Sequence, residues 1–291
     1  MPLYYLDTNA YRRIFREHLR VPARKRVALS YVSLLELLDQ FQRATPGSFA
    51  EIKGAIALAR KHGRSKFLTY PSDYVRKHLL KMTVANAKLD HSFKQAMDIV
   101  LMVKRHSDVQ SPILYKKTLY RMADIVKGRQ EKEQQWVDSL TGLRNELASK
   151  ASAPPPSSGG PIAGSETKIV SQYYTGSDGS PTFVKSFPVW FLNKMGIESP
   201  AVELASEVGD RLEASAVFMG EVLKAMLVDG YRVENKANDC GDYAQLQYLC
   251  VNENIFVTDD EPLRNRIAAA KQSNRVIPLE EFLQYGPRTG C

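Results

Sequence analysis

A few short apolar runs, each breaking off into polar residues, bound what this chain can fold into. Leu3-Tyr4-Tyr5-Leu6 ends abruptly in Asp7-Thr8-Asn9, and Asn254-Ile255-Phe256-Val257-Thr258 ends in Asp259-Asp260. Each reads as a strand, and the first reads as a buried one. Val27-Ala28-Leu29-Ser30, Lys66 to Tyr70 and Arg275-Val276-Ile277-Pro278 are further strand candidates, and helical patterns lie between them. Short strands alternating with helices predict a parallel sheet covered on both faces. Ligands of such sheets bind outside the carboxyl ends of the strands. Asp7 and Asp260 both stand at such ends. Asp and Asn are poor strand residues and good turn formers, so Asp7 has two readings, a plain turn or a carboxylate on display.

The helical patterns follow from periodicity and caps. Tyr31 to Leu38 runs on from the second strand, with Ser30 or Ser33 as its N-cap. Ser48 to Lys61 is amphipathic, and Gly63 is placed to cap its C-terminus. Pro71 closes the third strand, and Ser72 caps a helix through about Leu80. From Lys88 to Ser149 the pattern is helical throughout. Residues 149–167 are dominated by proline, serine and glycine and read as a flexible linker or surface loop. Tyr173-Tyr174-Thr175 and Thr182-Phe183-Val184 flank a Gly-Ser-Asp-Gly-Ser-Pro turn, which predicts a hairpin. Helices return from Ser199, and Asp239 to Cys250 forms another.

The chain has 291 residues, enough for two average domains or for one with a large insertion. No apolar run approaches the ~18–20 residues of a membrane helix, and the N-terminus lacks a signal-peptide pattern. The expected address is the cytoplasm. Cys240, Cys250 and Cys291 are odd in number and lack metal-ligand spacing, so neither a disulfide framework nor a zinc knuckle is indicated. Cys240 and Cys250 read as small core residues rather than nucleophiles. Net charge is +8. Its distribution says more: Arg12, Arg13, Arg16, Arg20, Arg24, Lys25 and Arg26 follow the first strand, and a second basic stretch runs from Arg60 to Lys81. Either is a solvated helix face or an attraction for a polyanion such as nucleic acid.

Four acids stand one step beyond a strand or on the inward face of a helix. Asp7 ends the first strand. Glu36 sits among Leu34, Leu35, Leu37 and Leu38 on a helix that packs on the sheet, where an ionised carboxylate is costly unless something positive meets it. Asp242 opens a helix near its dipole-positive end. Asp260 follows the strand ending in Val257-Thr258. Singly, each has an ordinary explanation: turn residue, snorkelling acid, N-cap, loop acid. Together they are brought by the predicted sheet to one edge, where crowded carboxylates repel and some stay protonated. A divalent cation relieves that repulsion, and oxygen-only donors suit Mg²⁺ or Mn²⁺ rather than zinc.

Leu6-Asp7-Thr8-Asn9, Ser30-Tyr31-Val32-Ser33-Leu34-Leu35-Glu36-Leu37, Asp242 and Val257-Thr258-Asp259-Asp260, in that order, resemble the acidic motifs of the PIN-domain (PilT N-terminus-like) ribonucleases. Val276 to Leu283 is similar to the family's last strand and helix. The resemblance implies a three-layer α/β/α sandwich with a central parallel five-stranded sheet. It implies a nuclease that hydrolyses RNA with Mg²⁺ or Mn²⁺, commonly a toxin of a toxin–antitoxin pair or an RNA-processing enzyme. Carried over, Asp7, Glu36, Asp242 and Asp260 would hold the metal, with Asn9 and Thr258 supporting the site by hydrogen bonds. An antitoxin-like protein partner and a homodimer are further expectations of that resemblance, and single-stranded DNA is the alternative substrate, since the sequence does not decide between RNA and DNA. Asp239 is either an extra ligand or the N-cap of its helix.

The chain departs from the compact form of the family in length. The resemblance covers residues 1–85 and 197–291, with a mainly helical insertion over 86–196. Arg12, Arg13 and Arg16, on the helix leaving the first strand, are candidates for gripping phosphates, and Tyr11 for stacking on a base, although core packing suits Tyr11 better. A non-catalytic nucleic-acid-binding module is the rival reading. A haloacid-dehalogenase-type phosphatase wants a second aspartate where Asn9 stands, and no P-loop motif is present.

Overall fold

The structure is a computed structural model and describes residues 1–84, 87–152, 182–228 and 238–284. It is a three-layer α/β/α sandwich. Five strands, β1 (Leu3–Leu6), β2 (Arg26–Ser30), β3 (Phe67–Leu68), β6 (Asn254–Val257) and β7 (Val276–Ile277), form one sheet in the order β3-β2-β1-β6-β7. Every pairing in it is parallel; Leu3 to Leu6 lie beside Asn254 to Val257 on one side, and Leu3 to Tyr5 beside Arg26 to Ala28 on the other.

All four residues of β1 are buried, because alternate side chains enter different cores. Leu3 and Tyr5 join Ala28, Phe256 and Val276 on one face. Tyr4 and Leu6 join Val27, Leu29, Val257 and Ile277 on the other. This is why the run is apolar throughout: period two sorts its residues between two dry faces.

The second face is covered by α1 (Thr8–Arg16), α2 (Tyr31–Gln42), α3 (Pro46–Ser65) and α12 (Leu279–Gln284). The first is covered by α4 (Pro71–His78), α8 (Val202–Arg211), α9 (Glu213–Val228), α11 (Glu261–Arg266) and a 3₁₀ turn at Gln247–Cys250. The turn follows α10 (Asn238–Leu246), so the helix predicted over Asp239 to Cys250 tightens in its last turn. Three boundaries differ from expectation. Helix α3 begins at Pro46 with Thr45 and Ser48 in a reciprocal capping box, and continues through Gly63 instead of ending there. A Cβ on Gly63 would lie 3.0 Å from Leu29 Cδ2, so this glycine lets α3 approach β2. Helix α4 starts on Pro71, not Ser72, since proline already has the dihedral of a first helical residue.

The insertion contributes α5 (Ala87–Met102), the hairpin β4 (Ile113–Tyr115) and β5 (Thr118–Tyr120), α6 (Met122–Ser152) and α7 (Thr182–Lys194). Continuous helix over 88–149 is therefore corrected by a two-stranded antiparallel ribbon. Its turn puts Lys116 and Lys117 at φ 46° and 70°, a left-handed pair usually filled by Asn and Gly, so the lysines carry no turn signal. The hairpin predicted around 173–184 is not formed at its second arm: Thr182, Phe183 and Val184 begin α7. Its first arm lies outside the described residues, as does the proline-serine-glycine segment beyond residue 152, while residues 149–152 finish α6.

Insertion side chains enter both cores. Ala96, Met97, Val100, Met122 and Val126 extend the α2–α3 side, and Leu140, Phe187, Phe191 and Leu192 extend the other. The insertion thus shares the cores of the sheet.

Candidate active site at the sheet switch point

The chain leaves β1 toward β2 and β3 on one side, and later adds β6 and β7 on the other. The carboxyl ends of β1 and β6 therefore flank the point where strand order reverses, where an open α/β sheet leaves a crevice. Asp7 ends β1 and N-caps α1, its side chain accepting from the Thr8 N–H. Thr258, buried after β6, donates from Oγ1 to Asp7 Oδ2 at 3.1 Å and accepts the Asp260 N–H at 3.1 Å. Asp260 in turn caps α11, accepting the Leu263 N–H at 2.8 Å.

Glu36 reaches the same place from α2. Thr8 Oγ1 donates to Glu36 Oε2 at 2.6 Å. The start of α2 is held by a buried polar network. Ser30 caps the helix through the Ser33 N–H, Ser33 Oγ donates to the Leu6 carbonyl at 2.7 Å, and Gln245 Nε2 donates to Ser33 Oγ at 2.7 Å. Gln245 lies on α10, and its carbonyl accepts from the Tyr5 hydroxyl at 2.9 Å. One set of bonds thus ties the end of β1 and the helices carrying Glu36 and Asp242. Gly241, just before Asp242, completes the fit, because a Cβ there would overlap Glu36 Oε1.

The acids perturb one another. Burial pushes the Asp242 carboxyl up to about 9, reinforced by the charges of Asp7, Glu36, Asp260 and Asp239. Asp7 is pushed up to about 7 by burial and by Glu36, against the hydrogen bonds from Thr8 and Thr258. Glu36, its side chain 16% exposed, is raised by burial against the pull of Arg129 and Thr8. The four sequence-predicted acids therefore meet in one electrostatic environment that lacks enough positive charge. Their donor set is all oxygen and fits Mg²⁺ or Mn²⁺. Among the described residues, no three His, Cys, Asp or Glu side chains are already gathered closely enough to hold a metal ion.

The supporting residues differ from expectation in part. Thr258 bonds Asp7 as predicted. Asn9 is exposed and, among the described residues, does not bond the acids; Thr8, buried beside it, makes the bond to Glu36 instead. The turn points residue 8 inward and residue 9 out. Asp239 is not the N-cap, since α10 already includes Asn238, and its carboxylate pairs with Arg266 at 3.1 Å. The arginines of α1 are engaged by carboxylates: Arg12 by Glu51 at 2.7 Å, Arg13 by Asp259 at 3.0 Å and by Glu17 and Glu280, and Arg16 by Glu17 at 3.2 Å. Tyr11 is fully buried core. Cys240 and Cys250 are free, and burial raises both thiols to about 12, which makes them poor nucleophiles.

Two participants escaped the sequence. Gly241 had a faint signal, its place next to Asp242. Arg129 had none. From α6 it reaches Glu36 at 4.0 Å, Asp39 at 3.6 Å and Glu133 at 2.6 Å, with its side chain 11% exposed. Among the described residues no helix is long and apolar enough to cross a membrane. Comparison with known protein families, with curated proteins and with solved structures returned no match to this chain.

Proposed function

We propose that the protein is a metal-dependent nuclease that hydrolyses phosphodiester bonds, with RNA as its substrate and Mg²⁺ or Mn²⁺ as its cofactor. The observation that carries this reading is the convergence of Asp7, Glu36, Asp242 and Asp260, from four separate elements, on the switch-point crevice. Asp7, Glu36, Asp242 and Asp260 would hold the cation, which when bound lowers the pKa of a water and offsets charge on the phosphate. The chain's own work is to keep that crevice acidic and oriented. Thr258 and the Thr8 N–H fix Asp7, Thr8 Oγ1 fixes Glu36, and the Asp260 side chain is fixed by the first turn of α11. One of these four carboxylates would also accept the proton of the attacking water. A toxin's action on cellular RNA, held in check by a protein partner, is compatible with this chemistry.

The test compares wild type with Asp7→Asn on single-stranded RNA and DNA, with Mg²⁺, Mn²⁺ or EDTA, and thermal melts verify folding of both. Metal-dependent cleavage by wild type, lost in the variant, supports the proposal, and the RNA-to-DNA ratio assigns the polymer. The second reading, a non-catalytic nucleic-acid-binding module, is favoured by the lack of a pre-gathered trio of ligands among the described residues. Binding without cleavage under every metal condition would select it.

A further inference from the structure

A cavity of about 680 Å³ opens beside the acidic crevice. Glu36 and Gly241 belong to its wall, so the cavity and the acids share a boundary. Its aromatic lining is dense: Tyr31, Tyr70, Trp136, Trp190 and Tyr243. Trp136 and Tyr243 lie 5.3 Å apart between ring centroids, inclined by 31°, and Tyr31 and Tyr70 meet edge to face at 5.2 Å. Trp190 is 37% exposed, which is unusual for a tryptophan with an apolar core beside it. Cations join these rings. Lys132 Nζ stands 4.6 Å from the Tyr70 ring centroid, and Lys194 also lines the cavity. Both lysines are exposed, and neither is paired with a carboxylate among the described residues. Arg129 stands at the boundary with Glu36.

We infer that this cavity seats an unpaired nucleobase of a single-stranded polynucleotide, next to the phosphate presented to the acids. Flat apolar walls are what a base face stacks on, and lysines at the mouth meet the phosphates that lead into it. A free apolar ligand would have no use for those lysines, and a duplex keeps its bases stacked on one another and out of reach. Trp136, Lys132, Trp190 and Lys194 come from α6 and α7, so the insertion contributes much of the seat. The inference rests on the nuclease reading for the identity of the neighbouring acids, yet its test does not need cleavage.

Trp136 and Trp190 are the only tryptophans in the chain and both line the cavity, so selectively excited tryptophan emission reports on it. Wild-type protein in EDTA is titrated with a uridine decamer, a thymidine decamer, a ten-unit abasic deoxyribose-phosphate oligomer and a duplex. The expected result is quenching and saturable binding for the two base-bearing single strands, with the uridine-to-thymidine ratio assigning the sugar. Binding of the abasic strand, equal in charge, should be weaker by about tenfold, in line with the loss of base stacking on an aromatic wall. Fluorescence anisotropy of labelled uridine decamer should show a similar loss for Trp190→Ala. It should show a smaller loss, with a shallower salt dependence, for Lys132→Gln, an exposed position that does not threaten folding. Equal binding of base-bearing and abasic strands, unchanged emission, or unaltered affinity in both variants would overturn the inference. Quenching without cleavage in the metal assay would sink the nuclease reading and leave this one standing. Cleavage without quenching would do the reverse.

Discussion

Replacing Asp242 by Asn should stabilise the metal-free protein, by an amount that grows with pH. The carboxyl titrates near 3.8 when unperturbed and is pushed up to about 9 in the fold. Between those values the folded state holds a proton that the unfolded state has released. Stability is therefore fully present below about 4 and falls as pH rises toward 9. From 3.8 to pH 7 is about three units, at roughly 1.36 kcal/mol each, or about 4 kcal/mol. Water reaching the half-buried site reduces this to about 2 kcal/mol. Asn keeps the shape and removes the titration. For a chain of this size the gain corresponds to a rise of about 4–8 °C in Tm. Thermal melts in EDTA at half-unit steps from pH 5 to 8.5 read it directly: the gap between Asp242→Asn and wild type should widen with pH. Saturating Mn²⁺ should raise the wild-type Tm and close most of the gap, because a cation that binds the folded state stabilises it by mass action. Equal melting of the two proteins across the range, or a gap that widens toward acid, would refute the idea that these carboxylates crowd one another.

Three further outcomes are expected. Gly241→Ala should displace Glu36 from Thr8 and cut metal-dependent cleavage by about tenfold or more, the usual cost of disturbing a ligand's support; an unchanged kcat/KM would show that the close approach of α10 is irrelevant. Arg129→Met should cost about 2 kcal/mol in urea denaturation, since Asp39, almost fully buried, keeps only Arg43 as an ionic partner among the described residues; a loss under about 0.5 kcal/mol, the scale of a surface pair, would be the contrary result. Burial beside Tyr11, with Lys61 near, lowers His62 to about 4. The unfolded chain then binds the extra proton first, so this histidine's stabilising contribution should fade as pH falls from about 6.5 to 4. In His62→Gln that portion of the acid sensitivity should be missing, as seen by comparing urea midpoints with wild type at pH 7 and 4.5.

Much of the candidate site was legible before folding. Asp7 and Asp260 announce themselves by breaking strands, and Glu36 by standing among leucines, because a carboxylate next to apolar sequence conflicts with local burial. The strands themselves were legible for the same reason: Leu3 to Leu6 need two dry faces, and only a covered sheet supplies them. What failed was chemistry without a local sign. Lys116 and Lys117 form a tight turn with residues that do not favour it. The choice between Thr8 and Asn9 as the partner of Glu36 depended on which residue the first turn of α1 aimed inward. Nor did the sequence of α1 show that Glu51, Glu17, Asp259 and Glu280 would pair with its arginines, the candidate phosphate grips.

By itself the sequence determined the parallel sheet, its covered faces and the four acids, since periodicity, capping and strand-ending polar residues act within a few positions of one another. Tertiary structure alone decided that Arg129 reaches Glu36 and Asp39, that Gly241 makes room for a carboxylate, and that the insertion's tryptophans border the crevice. Those juxtapositions join residues far apart in the chain. They depend on how α6 and α10 pack against α2 and how α7 packs against α8 and α9, and that is set by the filling of two shared cores, which no local pattern encodes.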